Sequence, residues 1–413
     1  MTPTTPTTTP STTSAQRPLH LAVALDGAGW HPAAWRLPSA RPQELLSAGY
    51  WVDLVRRAEE GLLDLVTIED GLALQSTSSV GPDHRTDEVR GRLDAVLVAA
   101  RVAPVTSRIG LVPTATVTHT EPFHVSKAIA TLDFVSQGRG GWRPQVSARP
   151  EEVAHFGRRE AWGDPLAGDE ATQALVRDLF AEAGDAVEVV RRLWDSWEDD
   201  AEIRDVATGR FVDRDKLHHI DFSGRFFDVR GPSITPRPPQ GQPVVVALAH
   251  AEVPRTFAAR SADVVLITPH DNASASAQVD EIVAARRAAG REGTDHVFGD
   301  LVVLLDDDQA RADARWARLE GWSGRRFSSD AELFVGTPQG LADLLLARAA
   351  AGLTGFRLRP AALPQDLDAI VDGLVPELQR RGAFRTAYDD GTLRDRLGLA
   401  RPTNRYATTG APR

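Results

Sequence analysis

The sequence predicts an α/β fold, a closed (β/α)8 TIM barrel with insertions, and three observations carry the barrel. Apolar runs of about 4–8 residues alternate with helix-patterned segments eight times along the chain, and strands apolar on both faces belong to a parallel sheet covered by helices. No GxGxxG follows the first run, which argues against an open dinucleotide-binding sheet and for closure. The 413 residues exceed the ~250 that such a barrel needs, so insertions are expected near 199–240 and 317–340.

The elements read in order. LHLAVALDG (19–27) precedes WVDLVRRAEEG, LDLVTIEDG (63–71) precedes RLDAVLVAARVA, and RIGLVPTATV (108–117) precedes EPFHVSKAIATLDFV. The fourth strand falls in GRGGWRPQVSARPEEVAHFGRR (138–159), before a helix over 171–198. In that helix Leu175, Val176, Leu179, Phe180, Ala183, Val187, Val190 and Trp194 recur at helical spacing. VVVALAH (244–250), DVVLITP (263–269), FGDLVVLLD (298–306) and GFRLRP (355–360) supply the last four strands, each followed by a helical pattern.

Chemistry in such a barrel sits at the C-terminal strand ends. Here those ends carry Asp26, Glu69, Asp70, Thr114 to His119, Arg143 to Ser147, His250, Thr268 to Asp271, Asp306, Arg357 and Arg359, and they read as a wet polar rim. The fourth strand carries Trp142, Arg143, Gln145 and Ser147 where Val and Ile are usual, as expected of a short strand facing a ligand pocket. Trp30, Trp35, Trp142 and Trp162 near the mouth suggest a substrate with an apolar or aromatic body.

Composition removes whole classes of function. A net charge of −10 without a basic stripe argues against binding phosphate backbones, so no nucleic-acid partner is expected. No window approaches the ~18 apolar residues of a membrane span. The chain has no cysteine, which excludes disulfides and thiolate chemistry and fits a cytoplasmic location. Residues 1–18, rich in Thr and Pro, are expected to be a disordered tail lacking a signal-peptide core. The barrel is expected over 19–407, and 408–413 as a loose end. His218 with His219, and His119 with His124, lack metal-pair spacing, so no metal is predicted. Asp306 to Asp308 read as a solvated helix start, and Glu151, Glu152, Arg158 and Arg159 as a solvated helix face.

RIGLVPTATVTHTEPFHVSKAIATLDFVSQGRGGW resembles the bacterial-luciferase-like flavin monooxygenases, in particular the group of the nitrilotriacetate, alkane and dibenzothiophene-sulfone monooxygenases. GWHPAAWR (29–36), LDLVTIED (63–70), EAGDAVEVVRRLWDSWEDDA (182–201), HHIDFSGRFFDVRGPSITPRPPQGQPVVV (218–246) and FRTAYDDGTLRDRLGLARPTNRYA (384–407) follow the same pattern in order. The resemblance implies a barrel that binds reduced FMN supplied by a separate flavin reductase, uses O2 to oxygenate a small organic substrate, and assembles as a homo-oligomer.

It also implies site residues. Asp70 stands where the family has an aspartate near the flavin ring, and Thr114 and Thr118 where it has pocket-lining groups; each could instead serve its own loop. His31 stands where relatives face the substrate side of the flavin, suited to acid–base work, although a lone histidine also serves as a loop hydrogen-bond partner. Trp30 replaces a frequent second histidine. In the fourth strand the family's flavin-contacting asparagine is Arg143, able to reach a flavin oxygen or to pair with a neighbouring carboxylate, while Ser147 is kept. At the phosphate end Ala251 replaces a serine after His250, and Leu179-Phe180 replaces an Arg-Tyr pair. Backbone N–H groups around His250 and Ala251 remain to hold a phosphate, against Glu252. Those departures keep two other readings open: a barrel that has lost oxygenation and binds flavin or another ligand, or an enzyme using a deazaflavin.

Overall fold

The structure is a computed structural model that describes residues 18–76, 83–160, 162, 167–291 and 296–407. The tail expected over 1–18 and the loose end over 408–413 thus lie outside the described residues, apart from Pro18.

Eight parallel strands close on themselves. In chain order they are β1 (His20–Leu25), β2 (Leu65–Ile68), β3 (Gly110–Thr116), β4 (Gly141–Gln145), β5 (Val244–Leu248), β6 (Val264–Ile267), β7 (His296–Leu305) and β8 (Gly355–Pro360). Each pairs with the next, and β8 returns to β1. An extra strand, Glu332–Gly336, pairs with the distal half of β7, from Leu301 to Leu305. Two short hairpins, Glu202–Asp205 with Arg210–Val212 and Phe222–Ser223 with Asp228–Val229, follow the long helix after β4.

Local chemistry starts and spaces these elements. Ser47 caps the helix Ala48–Glu60 by accepting from the Tyr50 N–H, Asp169 caps Glu170–Asp195 through Thr172, and Pro122 opens Pro122–Val135. The double glycine of β4 has a steric cause. A Cβ on Gly140 would lie 2.9 Å from the Asp133 backbone, and one on Gly141 would lie 2.8 Å from Val112 Cγ2.

The barrel interior has two layers. The lower layer is apolar: Ala22, Leu65, Val112, Val244, Val246, Val264, Leu266 and Phe298 pack with Leu393, Leu397 and Leu399, so the C-terminal segment plugs the barrel from below. Beside that plug, Asp64 accepts from the Leu21 N–H and from His20 Nδ1, each at 2.8 Å, and pairs with Arg385. Burial would raise this carboxyl, but His20 and Arg385 outweigh it and hold it down to about 2.

The upper layer is ionic, and here the expectation of a wet rim is corrected. Arg357 and Arg359 are only 1% and 3% exposed. Arg357 donates to both oxygens of Asp300 at 2.7 and 2.6 Å and to Glu69 Oε1 at 3.1 Å. Arg359 reaches Asp300 at 3.1 Å and Asp330 at 2.7 Å. On β8 Arg357 lies opposite Asp300 of β7 and Arg359 opposite Val302, two residues on and on the same face, so the side chains point into the barrel and the charges must be paired there. Trp142 is corrected too: it is fully buried, edge-on to Trp194 of the long helix at 6.5 Å, and belongs to the core, not the mouth.

Candidate active site

Above the ionic layer lies a cleft of about 430 Å³ built by the loops after β1 and β2, the end of β4 and the helix Pro150–Phe156. Its walls include Asp26, Trp30, His31, Asp70, Gly71, Gln75, Arg92, Gln145 and Glu152. The volume suits a small ligand or a flavin ring. A larger groove of about 680 Å³ runs on the outside, between the helices Glu170–Asp195 and Glu252–Ser261. It lies away from the strand ends, where barrel chemistry is found.

His31 is 1% exposed, stacked on Phe327 at 5.4 Å and edge-on to Trp316 at 5.1 Å. Its Nδ1 accepts the Ala33 N–H at 3.1 Å, so in the neutral ring the proton sits on Nε2, a buried donor with no partner. Burial lowers its pKa to about 4, so the ring is neutral near pH 7.

Asp70 also lines the cleft. It accepts the N–H groups of Gly71 at 2.7 Å and Ala95 at 2.8 Å, and burial outweighs these bonds to raise its pKa. Asp26 is raised by burial against the pull of Arg92, whose Nη2 donates to both Asp26 oxygens at 2.9 Å.

The remaining expected residues are not gathered in this cleft. Arg143 is 2% exposed and pairs with Glu69, while its Nε donates to Thr114 Oγ1 at 3.0 Å. It therefore joins the ionic layer beneath. Burial lowers the Arg143 pKa despite Glu69. Glu69 is lowered in turn, because Arg143, Arg357 and Arg359 overcome the opposing effect of burial. Thr118 Oγ1 accepts the Ser147 N–H at 2.8 Å, a buried bond between the ends of β3 and β4. His250 and Ala251 are exposed at the end of β5 and line no part of the cleft.

Sequence reasoning missed several residues of the cleft, among them Gln75, Glu152 and Arg92. Glu152, expected on a solvated face, is 2% exposed and accepts the Leu72 N–H at 3.2 Å; spacing along so short a helix gives no sign of a loop folding over it. Arg92 meets Asp26 across 66 residues, a pairing that no local pattern marks.

The model of the family described as luciferase-like monooxygenase matches residues 32–355. The chain belongs to that family. It is 30% identical to the N-acetyl-S-(2-succino)cysteine monooxygenase of Bacillus subtilis (strain 168), over 96% of this chain and all of the relative. It is 31% identical to nitrilotriacetate monooxygenase component A of Aminobacter aminovorans, over 95% of this chain and 99% of the relative. The crystal structure of long-chain alkane monooxygenase superposes with a TM-score of 0.80 at 24% identity, covering 92% of this chain and 96% of the other.

This luciferase-like monooxygenase offers a flavin a mixed set of groups. Five enclosed polar atoms without partners belong to cleft residues: Trp30 Nε1, His31 Nε2, Gln75 Oε1, Arg92 Nε and Glu152 Oε2. A buried polar atom without a partner costs about 1–3 kcal/mol, which a polar ring reaching it would recover. The helix end where the resemblance implies a phosphate is barer. Ala251 is the N-cap of the helix Glu252–Ser261 and makes no side-chain cap bond, so only backbone N–H groups are on offer, beside the charge of Glu252. Among the described residues no cluster of three His, Cys, Asp or Glu could hold a metal ion, and no helix is long and apolar enough to cross a membrane.

Proposed function

We propose that this luciferase-like monooxygenase is the oxygenating component of a two-component system, taking reduced FMN from a separate flavin reductase and acting with O2 on a small organic substrate in the 430 Å³ cleft. The concentration of unpartnered polar atoms on the cleft residues carries this reading. Reduced flavin, when bound, supplies the electrons that activate O2.

The chain's own residues do the rest. Asp70 stands at the cleft wall as an acceptor for a ring N–H, and His31 presents a neutral imidazole whose Nε2 proton is free to steady a developing negative oxygen. Trp30, held under the Arg359 guanidinium at 4.7 Å, closes the wall against water. Arg143 and Thr114 brace the floor, and Thr118 with Ser147 ties β3 to β4 beside it. His250 and Ala251 are assigned to the phosphate, through their backbone.

Anaerobic titration with reduced FMN, followed by admission of O2 with and without an added flavin reductase, tests the reading. Binding of reduced FMN with reductase-dependent O2 uptake supports it. Absence of reduced-FMN binding overturns it, in favour of a ligand-binding barrel; binding of a reduced deazaflavin instead would replace the cofactor.

A further inference from the structure

Three elements meet around Gly71 on the cleft wall. A Cβ built there would lie 3.2 Å from Arg92 Nη1 and 3.9 Å from Gln145 Nε2. The backbone of Gly71 is not in the left-handed region, so what its missing side chain provides is space between two donors.

Both donors are underused. Arg92 spends only Nη2, on Asp26; its Nε is enclosed without a partner, and among the described residues nothing accepts from Nη1. Gln145 meets Arg143 through Oε1 at 3.5 Å, which leaves its Nε2 unengaged among the described residues. The carboxylate oxygens around Gly71 already accept hydrogen bonds, apart from Glu152 Oε2, which has no partner among the described residues. Asp26 faces Arg92, Glu69 faces Arg143 and Arg357, Asp70 accepts two backbone N–H groups, and Glu152 accepts from Leu72. The two side-chain atoms nearest the gap at Gly71 are both donors.

We propose that Arg92 and Gln145, across the gap left by Gly71, form a specificity subsite for a carboxylate of the substrate. A guanidinium paired with an amide N–H holds a planar oxyanion by two directed bonds, one of them charge-assisted. The oxygen of a flavin carbonyl would suit the same donors, but a full negative charge gains more from a half-satisfied guanidinium in an enclosed site. The proposal rests on the reading of this cleft as the active site only for its place in catalysis; carboxylate binding is measured without flavin or turnover.

Calorimetric titration of the full chain with succinate and with its neutral counterpart succinamide tests it, alongside titration with FMN. Succinate is expected to bind at least tenfold more tightly than succinamide. Arg92→Met, Gln145→Leu and Gly71→Ala are each expected to weaken succinate by about tenfold, the size of one lost bond of ~1.4 kcal/mol, with FMN affinity within twofold of the parent in Gln145→Leu and Gly71→Ala. Gly71→Ala leaves the Asp26–Arg92 pair intact and guards against a folding artefact, checked by circular dichroism. Equal binding of succinate and succinamide, or succinate affinity unchanged in folded Gly71→Ala and Gln145→Leu, overturns the proposal. Loss of FMN affinity in these variants with succinate unaffected also overturns it and gives the subsite to the flavin ring.

Discussion

Asp300 is the anion on which the upper layer of the barrel turns. It is fully buried and neutralises two guanidinium groups, Arg357 and Arg359, which are themselves almost fully enclosed. Asp300→Asn keeps the shape and removes the charge. Arg357 is then left with Glu69 at 3.1 Å, and Arg359 with Asp330, whose side chain is 47% exposed. Breaking a buried pair by removing one partner costs about 3–5 kcal/mol, a large share of the ~5–15 kcal/mol that holds a domain folded. Urea denaturation followed by circular dichroism should register that loss.

The companion variant separates charge from packing. In Asp300→Leu/Arg357→Met both partners become apolar, Glu69 keeps Arg143, and Arg359 keeps Asp330. Replacing a buried pair with apolar groups of similar size is close to neutral, so the double variant should recover at least about 2 kcal/mol relative to Asp300→Asn. A loss under about 1 kcal/mol in Asp300→Asn, or a double variant less stable than the single, would refute the claim that this layer is held by paired charge.

His31 should show no protonation by NMR above about pH 5, since burial lowers its pKa to about 4; a midpoint near 6.5 would place the ring in solvent. The unfolded chain binds this proton at ~6.5, so between pH 7 and 5 the unfolded state takes it up and the folded state does not. His31→Gln should therefore lose about 2 kcal/mol less stability than the parent over that interval, at 1.36 kcal/mol per unit. Taking the difference between variants cancels Asp133 and Asp366, whose pKa values burial raises to about 6 and which titrate in the opposite sense. Ala251→Ser should raise stability without ligand by about 1 kcal/mol, through the missing N-cap bond; a further tenfold gain in FMN affinity is expected only if the phosphate lies at that helix end, and calorimetry decides it. Leu393→Ala should cost about 2–5 kcal/mol by emptying the plug and make Gly110→Ala less harmful, because a Cβ on Gly110 would lie 2.7 Å from Leu393 Cδ1, the remaining close contact being Leu65 Cβ at 2.9 Å; if Gly110→Ala is equally harmful in both backgrounds, the plug does not seat there.

The eight strands were legible because continuous apolar runs are a local signal. The ionic layer was not, because each of its bonds joins distant positions: Arg143 to Glu69 across 74 residues and Arg357 to Asp300 across 57. A signal did exist. In GFRLRP Arg357 and Arg359 alternate with Phe356 and Leu358, and FGDLVVLL carries one acid in an apolar run. Period two in a barrel strand puts Arg357 and Arg359 on one face, opposite the face of the apolar residues. Charges facing inward from adjacent strands have only one another as partners. The cleft was legible in part: Asp70 and His31 come from the strand-end loops that line it, whereas Arg92 and Glu152 reach it through tertiary packing.

The polar fourth strand follows from this layering. Trp142 points outward onto Trp194, and Arg143 points inward to Glu69 and Thr114. Its residues thus alternate between helix contact and ionic interior, and the strand is polar because it helps to fill the barrel with charge. The floor formed in this way has its donors and acceptors already paired, with Glu69 shared between Arg143 and Arg357. Such a floor offers a ligand little to choose by. The unpartnered groups lie instead on the walls, at Trp30 and His31 after β1, at Gln75 and Arg92 after β2 and at Glu152 after β4. If the cleft is the substrate site proposed above, discrimination among substrates falls to the loops after β1 and β2 together with Gln145 at the end of β4, while the barrel beneath supplies a rigid base.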